Sequence, residues 1–219
     1  MADQQAQVDW RDGDVPVARG FDDPYFNLCN GLAETRHVFL AGNDLPGRLR
    51  PGFHIAELGF GTGLNLLATL AATGGCEGPM RYTAFEAFPM TPEDMARALS
   101  PFPELHAAGL LAQWRAGRRR FTLGTLDVEV IIGDARAMLP GWPGRADAWY
   151  LDGFAPARNP ELWEAALLAQ VAAHTAPGGT FATYTAAGAV RRALAGAGFV
   201  VERVAGYGHK RHMSRGRMP

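Results

Sequence analysis

Residues 53–65 read FHIAELGFGTGLN, and this stretch decides the fold. Its first six residues form a short apolar run that is typical of a buried strand. Three closely spaced glycines follow, Gly59, Gly61 and Gly63, and from Leu64 onward the apolar residues recur at helical spacing. Glycines at this spacing let the backbone turn sharply into the helix and approach a ligand closely.

The rest of the chain continues the alternation of strands and helices. The patterns predict strands at 80–85, 121–126, 127–132, 146–151, 180–184 and 199–204, and helices at 64–72, 92–99, 105–115, 161–173 and 189–195. This order predicts an α/β protein with a doubly wound, mostly parallel sheet. The first fifty residues do not fit the alternation. We therefore predict an N-terminal extension at 1–50 that packs on a single core domain at 51–219.

Composition limits the classes of function. The chain has 219 residues, of which 47% are hydrophobic and 20% charged, so it can build a full core. The net charge of −1 excludes nucleic-acid binding by global charge but leaves a local basic patch open. Two distant cysteines, Cys29 and Cys76, favour a reduced intracellular protein. No signal peptide or membrane span is predicted, so we expect a cytoplasmic protein.

The glycine loop favours an adenosyl cofactor. A dinucleotide fingerprint would need glycine at position 64, where Leu64 stands. The acidic-x-G-x-G-x-G pattern of residues 57–63 instead resembles motif I of S-adenosylmethionine-dependent methyltransferases. The alternative is a tight turn that binds no ligand. The cofactor-binding residues predicted from this loop are Glu57, Gly59, Phe60, Gly61, Thr62, Gly63 and Asn65.

Acidic residues at two further strand ends fit the same cofactor, because ligands of doubly wound sheets bind at the carboxyl ends of the strands. Glu86 follows the second strand and can accept hydrogen bonds from ribose hydroxyls. Asp134, followed by Ala135, is placed to bind the adenine amine. Asp134 can also be a helix N-cap, and the two roles are compatible.

The stretch WYLDGFAPARNPELW at 149–163 contains the candidate catalytic residue, Asp152. Asp152 ends a buried strand in the cleft where a methyl acceptor would lie. A carboxylate there can orient an amine or accept its proton. Phe154 can stack against a base. The loop resembles the acidic, proline- and aromatic-containing loop of methyltransferases that act on amino groups; the alternative for Asp152 is a loop cap.

Several segments together resemble one family, that of the tRNA 5-methylaminomethyl-2-thiouridine (wobble uridine) methyltransferases. The similar segments are GFGTGLN at 59–65, the Asp152 stretch, FDDPYFNLCNGLAETRHVFLAGN at 21–43, TYTAAG at 183–188 and GYGHKRHM at 206–213. The resemblance implies a Rossmann-like class I methyltransferase. It implies methyl transfer from S-adenosylmethionine to the 5-aminomethyl group of the wobble uridine, without a metal. It also implies a flavin-dependent oxidase, fused or separate, as a partner in the pathway.

Two further sets of candidate residues follow. The resemblance suggests residues that line the acceptor pocket, and positive charge suggests residues that bind tRNA. The acceptor-pocket candidates are Tyr25, Asn27, Glu34, Arg36, Phe154, Pro156 and Tyr184. The tRNA-binding candidates are Lys210, Arg211, Arg118 and Arg119, since basic residues contact phosphates without reading sequence. Residues past Ser214 are expected to form a frayed, solvated tail.

Three other functions are alternatives. The chain could methylate a different amine, and the basic segment and the opening stretch argue against this. It could be a nicotinamide-dependent oxidoreductase, which Leu64 disfavours. It could be an inactive binding module, although the glycine loop and Asp152 occur together.

Overall fold

A computed structural model describes residues 5–11, 14–27, 30–74, 76 and 78–219. Cys29, one of the two cysteines expected to be reduced, lies outside the described residues. Across the residues that the structure describes, no helix is long and apolar enough to span a membrane.

The described part of the chain contains strands and helices in alternation from residue 54 onward. The strands are β1 Val8–Arg11, β2 Val15–Ala18, β3 Asp23–Pro24, β4 His54–Leu58, β5 Met80–Glu86, β6 Arg120–Leu123, β7 Leu126–Ile132, β8 Ala146–Leu151, β9 Thr175–Thr183, β10 Val200–Ala205 and β11 His212–Arg217. The α-helices are α1 Gly31–Thr35, α2 Leu64–Ala72, α3 Pro92–Leu99, α4 Ala108–Arg115, α5 Ala135–Met138, α6 Ala165–Ala173 and α7 Gly188–Gly196.

The main sheet, as far as the structure describes it, has eight strands in the order β10-β11-β9-β8-β4-β5-β7-β6. The central pairs β9–β8, β8–β4, β4–β5 and β5–β7 are parallel, whereas β6 and β11 run antiparallel to their neighbours. The predicted α/β class with a mostly parallel sheet is confirmed. The carboxyl ends of β4, β5, β7 and β8 therefore meet at one edge, which is where such sheets bind ligands.

The N-terminal residues form a small antiparallel sheet, β1-β2-β3, followed by α1 and a turn of π-helix at Arg36–Leu40. Leu32, Val38 and Phe39 are buried in the same hydrophobic cluster as Ile55 of β4 and Leu66 of α2. These apolar side chains of the N-terminal segment therefore share one core with the sheet. The division of the chain at residue 50 stays a prediction.

The expectation of a frayed tail past Ser214 was wrong. The strand predicted at 199–204 is present as β10, but it is not the last strand of the sheet. Residues 212–217 form β11, which lies between β10 and β9 and hydrogen-bonds to both. Arg215 forms ion pairs with Glu202 Oε2 at 3.1 Å and with Asp44 Oδ1 at 3.3 Å, so its guanidinium is paired within the protein. Residues 212–217 read HMSRGR, which has too few apolar side chains to show the alternation that predicts a strand.

Two predicted helices are shorter than expected. The segment 161–173 begins as a 3₁₀ turn at Pro160–Trp163, extends at Glu164, and becomes helical only from Ala165. The break lets the indole N–H of buried Trp163 donate to the Phe154 carbonyl at 2.8 Å. The helix predicted at 105–115 starts at Ala108, because residue 106 adopts a left-handed conformation.

Gly59 lets the glycine loop that follows β4 lie against the end of β8. Its φ of +87° lies in the left-handed region, and a Cβ there would clash with the carbonyl oxygen of Asp152. The amide of Asp152 donates to the Leu58 carbonyl at 3.0 Å, which fixes that carbonyl oxygen against the loop. Gly59 is therefore required by both conformation and space.

We expect Gly59→Ala to lower the free energy of unfolding by about 3 kcal/mol or more, since it adds a backbone clash to conformational strain. Urea unfolding would measure the change. Gly52→Ala is the matched control, because Gly52 has a φ of +77° but no atom within 4 Å of the added Cβ. Equal losses in the two variants would contradict the proposed role of the close approach.

Candidate functional site

A large cleft opens at the carboxyl edge of the parallel strands. Its volume is about 1450 Å³, and it is lined by the glycine loop, the ends of β5, β7 and β8, and residues 21–27. A cavity of this size exceeds the roughly 300–1,000 Å³ that a single small ligand usually occupies. It has room for a nucleoside-sized cofactor and a second nucleoside.

One side-chain amide lies at the floor of the cleft and joins three segments. The Nδ2 group of Asn65 donates to Glu57 Oε1 and to Asp152 Oδ2, each at 2.7 Å. Its Oδ1 accepts a hydrogen bond from the Thr35 hydroxyl at 2.9 Å. Asn65 lines the cleft, but protein groups take up both of its amide protons, and its role in cofactor binding stays a prediction.

Asp152 ends β8 and faces the cleft, where burial raises the pKa of its carboxyl to about 7. The hydrogen bond from Asn65 and the charge of Lys210 oppose this rise, whereas the charge of Glu34 adds to it. Among the described residues, none donates a hydrogen bond to the other carboxylate oxygen, Oδ1. A carboxyl group with a pKa near 7 can accept a proton at neutral pH.

Glu57 does not line the cleft, contrary to what its place in the motif predicted. It is fully buried beneath Asn65, and Tyr82 donates to its Oε2 at 2.8 Å. Burial raises the pKa of Glu57 well above its ordinary value. Gly63 also lies outside the lining, at the start of α2 with a φ of +77°. Glu57 supports the cleft by accepting the hydrogen bond from Asn65, and Gly63 supports it as the residue that begins α2.

The glycine loop and Glu86 form one end of the cleft. Glu86 Oε2 accepts a hydrogen bond from the Gly61 amide at 2.8 Å, and Oε1 accepts one from the Phe88 amide at 2.7 Å. Burial raises the pKa of the Glu86 carboxyl, while these backbone amides lower it. Gly59, Phe60 and Thr62 line the same end, and their role in cofactor binding stays a prediction.

Asp134 and Ala135 lie at the next strand end and also line the cleft. Asp134 caps α5 by accepting from the Arg136 amide at 2.9 Å, so the predicted N-cap is present. Its carboxylate also binds the Arg136 guanidinium at 2.6 Å, and this hydrogen bond is the main reason that its pKa is lowered. The carboxylate is therefore ionised and held at the rim.

Aromatic side chains form the roof. Phe154 stacks on Phe21, with ring centroids 4.7 Å apart, and Tyr25 meets Phe154 edge-on at 5.1 Å. Asp23 accepts a hydrogen bond from the Ala155 amide at 2.8 Å, which ties the N-terminal segment to the loop after β8. A Cβ on Gly61 would lie 3.1 Å from the Tyr25 ring, so the roof also packs on the glycine loop.

The predicted acceptor residues separate into two groups. Tyr25, Asn27, Glu34, Phe154 and Tyr184 line the cleft, and Tyr184 donates to the Gly153 carbonyl at 2.7 Å.

Arg36 and Pro156 do not line the cleft. Arg36 is exposed beside Leu40 and Ala68 in a small surface hollow, which corrects its predicted place. Residues two apart on a helix point to different sides, so Glu34 and Arg36 could not both face the acceptor.

The predicted tRNA-binding residues are also separated. Lys210 lines the cleft with a side chain that is 42% exposed, whereas its exposed neighbour Arg211 does not line the cleft. Arg118 is exposed and bonds Gln113, and the Arg119 guanidinium lies 3.7 Å above the Trp114 ring. These two arginines precede β6 at the far edge of the sheet, about 30 Å from β11 at the usual spacing between strands.

Sequence reasoning missed several lining residues, chiefly Phe21, Asp23, Phe88 and Arg136. Phe21 and Asp23 belong to the family-like opening stretch, and the density of aromatic residues there was the available signal. Phe88 follows Glu86 by two residues, at a strand end that was already singled out. Among the described residues, no cluster of three or more His, Cys, Asp or Glu side chains is placed to hold a metal ion.

The raised pKa of Asp152 predicts a pH-dependent effect of Asp152→Asn. An unfolded aspartate ionises near its ordinary pKa of about 3.9, whereas the folded pKa is about 7. Ionisation therefore costs stability that is absent below about pH 4 and complete above about pH 7. We expect the variant to be more stable than wild type by about 4 kcal/mol at pH 8, and nearly equal to it at pH 4.

Urea unfolding at the two pH values would measure this difference. Glu104→Gln, at an exposed site on a surface turn, is the control and should show no such pH dependence. A variant that is less stable than wild type at pH 8 would show that the Asp152 carboxylate is not destabilising.

Comparisons with known proteins place these residues in a family. A family model described as S-adenosyl-L-methionine-dependent methyltransferase matches residues 104–219, more than half of the chain. The tRNA 5-methylaminomethyl-2-thiouridine biosynthesis bifunctional protein MnmC of Chromobacterium violaceum is 46% identical over 231 residues, covering 99% of this chain and 35% of its own length. The protein of the same name from Ectopseudomonas mendocina is 46% identical over 226 residues, with coverages of 96% and 34%. The chain thus spans about a third of the length of these curated relatives.

A solved structure has the same fold. MNMC2 from Aquifex aeolicus matches with a TM-score of 0.79 at 22% identity, over 100% of this chain and 71% of that one. The predicted class I fold, the S-adenosyl-L-methionine cofactor and the resemblance to wobble-uridine enzymes are confirmed, and the alternative functions are not favoured. The chain belongs to the family of S-adenosyl-L-methionine-dependent methyltransferases.

Proposed function

We propose that this protein methylates the aminomethyl nitrogen at C5 of the wobble uridine in tRNA. The reaction converts 5-aminomethyl-(2-thio)uridine to 5-methylaminomethyl-(2-thio)uridine. The observation that carries the proposal is the Asp152 carboxylate, held by Asn65 at the floor of a cleft with room for two nucleosides. The names of the relatives, which refer to the biosynthesis of this nucleoside, support it.

The end of the cleft at the glycine loop suits the cofactor. The Gly61 amide holds the Glu86 carboxylate at this end, and that carboxylate retains lone pairs that can accept from ribose hydroxyls. We assign the adenine amine to Asp134, whose carboxylate is ionised at the rim. S-adenosyl-L-methionine, when bound, supplies an electrophilic methyl group on a positively charged sulfur.

The acceptor end is the part between Asp152, Phe154 and Tyr184. A flat base can take the place of Phe21 against the Phe154 ring, since both rings present a stacking face. Asp152 Oδ1 then accepts an N–H of the aminomethyl group and directs the nitrogen lone pair toward the methyl group. The product amine carries an extra proton, which Asp152 accepts directly or through water because its pKa is about 7.

Binding of the tRNA phosphate backbone requires positively charged residues outside the cleft. The exposed or partly exposed candidates are Arg211, which follows Lys210 in the chain, and the Arg118–Arg119 pair at the distant sheet edge. Contacts separated by about 30 Å would span a substantial part of a stem-loop, with affinity that falls as salt rises. Arg215 is not a candidate, because it is paired within the fold.

The amine must be made before it can be methylated. The relatives are named as bifunctional proteins and are about three times as long as the aligned part. We propose that a flavin-dependent oxidase, fused or separate, exposes the amine for this chain. Both steps belong in the cytoplasm, where the cysteines are kept reduced.

The direct test is transfer of labelled methyl from S-adenosyl-L-methionine to tRNA that carries 5-aminomethyluridine at the wobble position. We expect incorporation that depends on the aminomethyl group. Asp152→Asn should lower kcat about 100-fold, because it removes the proton acceptor and keeps the shape. Calorimetry should show that this variant still binds the cofactor.

Two controls make the result decisive. A tRNA without the aminomethyl group should accept no label, and Glu104→Gln should be as active as wild type. Tight cofactor binding without incorporation into aminomethyl tRNA would overturn the tRNA assignment and leave the methyltransferase family in place.

A further inference from the structure

Lys210 lies in the wall of the cleft, on the loop between β10 and β11. Its ammonium group is 3.0 Å from Glu34 Oε1 and 4.0 Å from the centroid of the Tyr184 ring. The Glu34 side chain is only 10% exposed and that of Lys210 is 42% exposed, so the pair joins a shielded carboxylate to a partly exposed ammonium group. Lys210 lines the cleft, so its charge acts on the cleft from a partly exposed position.

Both members of the pair act on the reacting end of the cleft. The positive charge of Lys210 lowers the pKa of Asp152, and the negative charge of Glu34 raises it. Both charges affect the pKa of Asp152 less than burial and the Asn65 hydrogen bond do. A substrate amine held by Asp152 would lie in the same field.

An amine acceptor poses a problem of charge. Only the neutral amine has a lone pair to attack a methyl group, whereas alkyl amines are mostly protonated near neutral pH. Carboxylates at the site would hold the amine as ammonium. The titratable side chains that surround this end are Asp23 of β3, Tyr25, Glu34 of α1, Asp152 after β8, Tyr184 after β9 and His209.

Positive charge is scarce among these groups. Of the lining residues that the structure describes, Arg136, His209 and Lys210 are basic. Arg136 is bound to Asp134 at the cofactor end. Lys210 is thus the permanent cation at the acceptor end, and it offsets the buried charge of Glu34.

We propose that the Lys210–Glu34 pair sets the charge of the acceptor end so that the substrate amine is held there in its neutral, reactive form. This inference rests on the proposed function. Lys210 is a positioning residue for charge and does not exchange a proton with the substrate. Its role differs from that of the exposed Arg211, the next residue, which faces solvent.

Four variants test the proposal through the pH dependence of kcat. Lys210→Met should move the rising limb to higher pH by about one unit, which lowers kcat roughly tenfold at pH 7. Glu34→Gln should move it to lower pH, and the double variant should return close to wild type. Lys210→Arg retains the charge and should keep the wild-type profile. Arg192→Met, which removes an exposed charge on α7, is the matched control.

A second measurement does not depend on the substrate. The carbon-13 resonance of the Asp152 carboxyl, assigned by its loss in Asp152→Asn, reports the pKa of that group by NMR titration. Lys210→Met should raise this pKa and Glu34→Gln should lower it. Opposite shifts support the electrostatic part of the proposal even in the absence of tRNA.

Three results would overturn the proposal. One is that the wild-type enzyme is active and Lys210→Met has the same pH dependence of kcat. Another is a weaker, salt-dependent affinity of Lys210→Met for tRNA with no change in profile, which would make Lys210 a backbone contact. The third is an Asp152 pKa that moves in neither variant. A wild-type protein that transfers no methyl group overturns the proposed function instead, and the NMR titration still decides whether the pair sets the charge of the cleft.

Discussion

The cleft depends on a single side-chain amide that holds two carboxyl groups. The two protons of the Asn65 amide go to Glu57 and Asp152, and its oxygen accepts from Thr35. Hydrogen bonds to charged groups contribute about 1.5–3 kcal/mol each, and an unpaired buried carboxylate costs more. These hydrogen bonds join helix α2 to β4, to the end of β8 and to the N-terminal segment.

This arrangement explains why Asp152 has a pKa close to neutrality. Removal from water raises the pKa, and the hydrogen bond from Asn65 limits the rise. The carboxyl group is thus poised to change protonation state in the pH range where an amine must lose a proton. A functional group held in this way costs stability, which is a common property of active sites. Gly59, with no side chain, lets the loop lie against the Asp152 carbonyl and completes the floor.

Much of the fold was predictable because it depends on local patterns. The strand–glycine–helix stretch, the parallel strands and the acidic residues at strand ends are all readable from sequence, and the topology brings strand ends together. The bridge made by Asn65 was not predictable, because it joins residues that are 30 and 87 positions away. Strand β11 escaped prediction because its residues are basic and because its neighbours in the sheet were needed to order it. The place of Lys210 in the lining of the cleft depends on a loop conformation that charge alone does not indicate.

Measurement of both kcat and cofactor affinity in Asn65→Leu tests this account most directly. If Asn65 acts by holding Asp152, kcat for methyl transfer should fall to the level of Asp152→Asn, and the affinity for S-adenosyl-L-methionine should change little. Adding Asn65→Leu to Asp152→Asn should then cause little further loss, because both changes disrupt one unit. A variant that loses cofactor binding but keeps the wild-type kcat at saturating cofactor would contradict the account and make Asn65 a cofactor ligand.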